Sequence, residues 1–445
     1  MIDREMSIAT QIQRIQNLVS ELRSNIQAKG VTLANDADLE TCVDAVNEIS
    51  GGGDTPSGYA AEYFTIENTG NYNVSLAMRK RNSQNNSGTN YNTTFSYSID
   101  YSFDKQTWTT VTLNTGYNVV SSICTIPIGS KCYFRSTTTR VVNKYYSSNP
   151  YQNFYHFYVN DPGNNIPSIS ISGNIMSLVY GDNFISPNVA REYEFYKLFY
   201  ELGYVNIDAS NLILNKYVSQ HSYDEMFGSC IRLHAAPALP ATTLASYCYY
   251  RMFYMCQELT TAPSLPATTL ADYCYGQMFA SCSELTTAPS LPATTLVSGC
   301  YYMMFLNCSK LTTAPSLPAT TLATYCYGQM FRQCYALTTA PSLPATTLAN
   351  SCYSQMFYQC NMLTTAPVLS ATTLVSGCYG YMFYNCSRLN YIKAMFTTTP
   401  STTYTQNWVS GVASSGTFVK NSAATWDVTG TSGIPSGWTV ETAAA

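Results

Sequence analysis

The sequence predicts a multidomain α+β chain: an N-terminal helical coiled-coil segment, a small antiparallel β-sandwich, a solenoid of 26-residue leucine-rich-type repeats and a C-terminal cap. Three observations carry this. Apolar side chains at Ile8, Ile12, Ile15, Val19, Leu22 and Ile26 follow a 4-3-4-3-4 spacing, the seam of a helix. Short alternating stretches, such as Phe95-Ser96-Tyr97-Ser98-Ile99, read as strands. Met-Phe pairs at Met226, Met252, Met278, Met304, Met330, Met356 and Met382 recur every 26 residues. A unit that short cannot bury its own apolar face and must stack on its neighbours.

Taken in order, residues 1–50 form the helical attachment and oligomerisation segment. Isoleucine in both alternating sets of the seam leans toward three strands, so a homo-oligomer is expected, trimer favoured. The plainer alternative is an amphipathic helix folded onto a second one, capped by Asp36 or Asp38 and bearing Leu39, Val43, Val46 and Ile49. Residues 51–58, with Gly51, Gly52, Gly53, Pro56 and Gly58, are a linker. Residues 59–165 read as an immunoglobulin-like β-sandwich, with a hairpin turn at Asp104, Lys105 and Gln106 and Trp108 as the core anchor of one sheet. The tyrosines between Tyr151 and Tyr158 suit edge-strand packing better than a sugar-stacking platform.

Residues 166–395 form the solenoid and 396–445 its cap. In one unit, Leu259, Ala262 and Leu265 belong to an extended segment ended by Pro266. Cys274, Met278 and Cys282, four residues apart, line one face of a short helix. Of 16 cysteines, thirteen fall in two columns, Cys248 to Cys378 and Cys230 to Cys386. Fixed positions within a coil make them buried free thiols acting as small hydrophobes, in preference to disulfides or a metal ladder.

This repeat resembles the BspA-like leucine-rich repeats in its Met278-Phe279-Ala280-Ser281-Cys282-Ser283-Glu284-Leu285 core and six further copies. The likeness spans roughly residues 174–395, with a degenerate opening coil around Phe195 to Phe199. The whole arrangement is similar to virion fibre proteins of tailed phages infecting gut Bacteroidales, the crAss-like phages among them. The junction Gly173 to Phe184 and a tail like Gly411 to Val440 recur with such repeats. The resemblance implies a leucine-rich-repeat solenoid on a tail or head fibre, in a virion assembled in the bacterial cytoplasm.

Comparing the copies within the chain separates constant from changing positions. Thr-Thr-Leu, Cys-Tyr and Met-Phe barely vary, whereas the pairs that follow Cys-Tyr and Met-Phe do. These changing pairs hold the candidate ligand-binding residues Tyr250, Arg251, Tyr254, Met255, Gln277, Tyr302, Met303, Asn307, Arg332, Gln333, Tyr358, Gln359, Tyr381 and Tyr384. Their Tyr, Ser, Gly, Asn and Arg content resembles that of an antibody's binding loops, where rigid aromatic area meets adaptable hydrogen bonding. Drift of exposed positions would also vary them but would not favour tyrosine. On the strand side, Thr260-Thr261 and its copies form a uniform carpet, more like a solvated sheet than a selective site.

Composition narrows the function. Charged residues are only 11% and the net charge is −4, so nothing attracts a phosphate backbone and nucleic acid is not an expected partner. Charges and glutamines interrupt every apolar stretch of residues 1–25, which yields neither a leader nor a membrane span. Three histidines, His156, His221 and His234, leave little acid–base or metal chemistry. The acidic pair Asp224-Glu225, adjacent on a helix, is expected to point apart and cap it. The expectation is therefore a non-enzymatic virion fibre without cofactor or metal. It attaches to capsid or tail proteins through its N-terminus and recognises a host surface glycan or outer-membrane protein; a secreted or cell-surface bacterial adhesin with the same repeats is the alternative.

Overall fold

The protein is described by a computed structural model covering residues 62–81, 97–113, 119–137, 154–159, 165–184, 190–200 and 202–443. The seam at Ile8, Ile12, Ile15, Val19, Leu22 and Ile26, the second helix and the glycine linker all lie outside the described residues.

The α+β expectation is corrected by the backbone. Among the described residues the chain is nearly all β, with 25% strand against 3% helix. Its α-helices among the described residues are the four-residue α1 (Ser177–Tyr180) and α2 (Thr402–Thr405).

Eight strands build the first layer pair: β1 (Phe64–Asn68), β2 (Val74–Arg81), β3 (Tyr97–Ser102), β4 (Thr109–Leu113), β5 (Val120–Ile126), β6 (Lys131–Ser136), β7 (Phe154–Val159) and β8 (Ser168–Asn174). One sheet runs β5-β2-β7, and the other contains β8-β1-β6-β3-β4. The alternating apolar faces of the two sheets meet in Phe64, Phe134 and Phe157, all fully buried, with ring centroids 5.6 to 5.8 Å apart. The turn at Asp104 to Gln106 joins β3 to β4, and the Asp104 carboxylate accepts the amides of Gln106 and Thr107. Trp108 is not the core anchor expected of it. It lies half-buried on the outer surface, edge-on to Tyr63 with the Arg135 guanidinium over its ring. Strand β7, from Phe154 onward, is an edge strand whose aromatic side chains are mostly buried.

The larger sheet passes without a break into the repeats. Strand β8 pairs in parallel with β9 (Asn206–Ile213), which pairs in parallel with β10 (Leu233–Ala235) in the first full coil. Because parallel ladders fix relative position at several hydrogen bonds, the sandwich and the first coils form one continuous core.

Within each coil the expected strand shrinks to single parallel bridges between threonines of successive coils, Thr261 to Thr287 to Thr313 to Thr339. Pro263 and Pro266, in the same extended stretch, have no amide hydrogen to offer a longer ladder.

The expected short helix is absent, and a ribbon of overlapping turns stands in its place. From Tyr247 to Cys256, even-numbered amides close turns on the carbonyl three residues back, as Tyr250 does on Tyr247 and Met252 on Tyr249. Odd-numbered amides donate to the next coil: Tyr249 to Cys274, Arg251 to Gly276, Phe253 to Met278 and Met255 to Ala280, at 2.9 to 3.1 Å. Every amide of the segment is thereby satisfied, half locally and half by stacking. The third residue of every second turn takes positive φ, as a type II turn requires: Tyr247 (57°), Arg251 (52°) and Met255 (60°), then Tyr273, Gln277 and Ser281, and so on through Asn385.

Four residues per repeat of this ribbon means two in and two out. Cys-Tyr and Met-Phe point inward, and the stacked copies form two aromatic ladders. Tyr249, Tyr275, Tyr301, Tyr327, Tyr353 and Tyr379 lie 5.9 to 6.0 Å apart, and Phe253 to Phe383 lie 5.6 to 5.8 Å apart, with rings near parallel. The register continues past residue 395. Phe383 donates to Trp408, and β11 (Tyr391–Ala394), β12 (Thr417–Lys420) and β13 (Thr439–Thr442) stack in parallel. The end of the stack is filled by Trp408, Trp426 and Trp438, each buried with its indole N–H on a carbonyl.

Candidate recognition face

The outward pairs are built from the ribbon upward. Their second residues occupy the left-handed region, which costs a side-chain-bearing residue about 1–2 kcal/mol and β-branched residues more. Although threonine abounds elsewhere in the chain, no Thr, Val or Ile stands at a positive-φ position among the described residues. The Gln, Asn and Ser of these columns (Gln277, Asn307, Gln333, Gln359) therefore answer partly to the backbone. Tyrosine in the first residues of the pairs is under no such constraint.

Along one of those first-residue columns, tyrosine and glycine are complementary. Tyr250 lies over Gly276 and Tyr302 over Gly328, so close that a Cβ on Gly276 would sit 2.9 Å from the Tyr250 ring. Each of these rings is also tethered at its tip. Gln277 Nε2 donates to the Tyr250 hydroxyl at 2.5 Å, and Gln329 Nε2 to that of Tyr302 at 2.9 Å. Arg251 Nε donates to the Gln277 carbonyl oxygen, Arg332 donates to Gln329 and Gln355 and covers the Tyr358 ring at 4.5 Å, and Gln333 donates to Gln359. Tyr358 and Tyr384 stack at 4.8 Å, and Tyr381 leans on Tyr384. Much of the face is thus an internally bonded array whose tethered side chains are held before any ligand arrives.

The predicted residues fall on this one face. Tyr250, Arg251, Tyr254, Met255, Tyr302, Met303, Asn307, Arg332, Gln333, Tyr358, Gln359, Tyr381 and Tyr384 are all half-exposed. Gln277 is corrected: at 8% exposure it is buried beneath Tyr250 and Arg251, and acts as their tether, not as a contact. Sequence reasoning also passed over Tyr247 and Tyr273, which extend the face. With Tyr193 and His221 they form a continuous ring stack at spacings of 4.4, 4.6 and 5.2 Å. The signal available was their 26-residue spacing, masked by Gly299 in the same column.

Asp224 and Glu225 do not cap a helix. In the ribbon they form an outward pair in register with Tyr250 and Arg251 that neighbouring side chains cover: Asp224 Oδ2 lies 2.6 Å from His221 Nδ1, while Glu225 faces Lys197 at 3.2 Å and Arg251 at 3.6 Å. Burial lowers His221 to about 4 and pushes the Asp224 carboxyl well up. Both side chains are enclosed, so the pair ties the first coils together and is out of reach of a substrate.

The thiols are enclosed as well. Every solenoid cysteine is buried and free. In the second column each Sγ–H donates to the phenylalanine carbonyl of the preceding coil, as Cys282 does to Phe253 and Cys308 to Phe279, both at 3.1 Å. Burial raises Cys378 to about 11 and Cys248, Cys300, Cys352 and Cys386 to about 12. A cysteine here is a small apolar filler with one short-range donor. Among the described residues no group of three or more His, Cys, Asp or Glu is placed to hold a metal ion, and no helix is long and apolar enough to cross a membrane.

Comparison of the chain with protein-family models, with curated proteins and with solved structures finds no match.

Proposed function

We propose that this chain is a structural virion fibre protein, on tail or head, that attaches to other virion proteins through its N-terminal residues and presents the outward pairs of its leucine-rich-type coils to a host-surface glycan or outer-membrane protein. The observation that supports this reading most strongly is the pre-tethered tyrosine array. Rigid aromatic area held by Gln277, Gln329 and Arg332 loses little conformational entropy on binding. The parallel pairing of β8 with β9 and of β9 with β10 supplies a stiff mount for it.

Replacing Tyr250 and Arg251 is an unsuitable test, because both hold Gln277 and Arg251 also faces Glu225. Tyr254, Met303 and Tyr384 carry no side-chain hydrogen bond and are half-exposed. Changing all three to serine is expected to lower adsorption of particles to host cells at least tenfold while costing about 1 kcal/mol per site at most, Tyr384 the most because it stacks on Tyr358. Unchanged adsorption by that triple variant rejects the assignment of the face.

A further inference from the structure

A cleft of about 660 Å³ opens where the sandwich meets the first coils, away from the aromatic ladders. Its floor is laid by residues that lead into the parallel strands β8, β9 and β10, among them Pro167, Leu202, Val205 and Ile231, and its wall by Arg79 of β2 and Tyr158 of β7. The volume lies within the range of small-molecule sites, which are apolar with a few convergent polar groups.

The charges are one-sided. Among the described residues, Arg79 and Arg232 line the cleft and no carboxylate does. Arg232 is matched by Glu258 at 3.4 Å outside it, but Arg79 has no acidic partner among the described residues. The Arg79 guanidinium is half-buried and lies over the Tyr158 ring, 3.8 Å from its centroid. At the rim Tyr204 is 80% exposed and Ile166 45%, an aromatic and an aliphatic group held in water beside the opening.

We propose that this cleft binds an amphipathic organic acid, its carboxylate taken by the fork of Arg79 and its apolar ring body laid against Ile166, Leu202, Val205 and Tyr204. A half-buried guanidinium that lacks a carboxylate is matched by an anion. The aliphatic floor, with few hydrogen-bonding groups, fits a fused carbocycle better than a hydroxylated sugar. The site is independent of the outward tyrosine pairs, apart from Ser229, which belongs to the first coil's outward pair and also lines the cleft.

The test is calorimetric titration of the full chain with cholate below its micellar concentration, with cholate methyl ester and glucuronate as comparison ligands. The expected result is saturable 1:1 binding of cholate, with at least tenfold weaker binding of the ester and of glucuronate. Arg79→Gln and Tyr204→Ala are each expected to weaken cholate at least tenfold at an unchanged melting temperature, while the Tyr254, Met303 and Tyr384 serine variant binds cholate as the parent does. Ester bound as tightly as cholate would reduce the site to a greasy surface. Glucuronate bound more tightly would make it a sugar-acid site. Absence of saturable cholate binding, or undiminished binding by Arg79→Gln, overturns the proposal, and none of these results touches adsorption through the outward face.

Discussion

Ser351 offers a measurement whose sign separates a turn ribbon from a helix. It is half-exposed at φ 53°, in the column that already holds Gly299 and Gly377, and its side chain makes no hydrogen bond. Comparing Ser351→Gly with Ser351→Ala removes the serine hydroxyl in both and leaves only the backbone preference. In the left-handed region a Cβ costs about 1–2 kcal/mol. Glycine returns about 0.5–1 kcal/mol of that through its freer unfolded chain. The ribbon therefore predicts the glycine variant to be more stable than the alanine variant by about 0.5–1 kcal/mol. A helix at the same place would reverse the order, with alanine ahead by about 1 kcal/mol. Denaturant midpoints of the two variants in the full chain, at equal slopes, read the difference directly. Alanine at or above glycine refutes the ribbon.

Gly299→Ala is expected to be costly for two reasons at once. Its φ is 59°, and a Cβ there would lie 2.4 Å from the Tyr273 ring. A loss of about 2 kcal/mol or more follows, of which pairing it with Tyr273→Ala recovers only the steric part. For the thiols, native chain at neutral pH should leave the solenoid cysteines unlabelled by a thiol reagent until denaturant is added. Burial raises all of them above the ordinary thiol value, Cys378 to about 11 and Cys248, Cys300, Cys352 and Cys386 to about 12, so their contribution is complete below that ordinary value. It declines as pH rises toward 11 to 12, because only the unfolded chain can release the protons, with a slope of about 1.4 kcal/mol per pH unit for each thiol. A denaturation midpoint independent of pH between 8.5 and about 11 contradicts that burial.

The coils and their inward columns were legible in the sequence because a 26-residue period fixes which residues stack, whatever the local backbone does. The backbone itself was misread. Cys274, Met278 and Cys282 at steps of four suit a helix of 3.6 residues per turn only approximately, and a ribbon repeating every four residues as well or better. The discriminating signal was present: no β-branched residue at every fourth position, and glycine at Gly299 and Gly377 inside a supposed helix. The outward face survived the misreading because both backbones put the pairs after Cys-Tyr and Met-Phe off the core. What the sequence could not supply were contacts one coil apart, such as Gln277 reaching back under Tyr250, since nothing local marks a side chain as a tether. Trp108 was misplaced for a related reason, its partner Arg135 lying two strands away in sequence.

Met303 and Met304 are neighbours in sequence, one half-exposed in an outward pair and one fully buried in the core. Limited peroxide oxidation read residue by residue in a mass spectrometer tests the central claim most directly, first on the free chain and then on the chain bound to host envelope vesicles. The account predicts rapid oxidation of Met255 and Met303 with Met252, Met278 and Met304 untouched, and protection of Met255 and Met303 once host envelope is bound. Equal oxidation of Met303 and Met304, or no protection on vesicles that retain the chain, would contradict it.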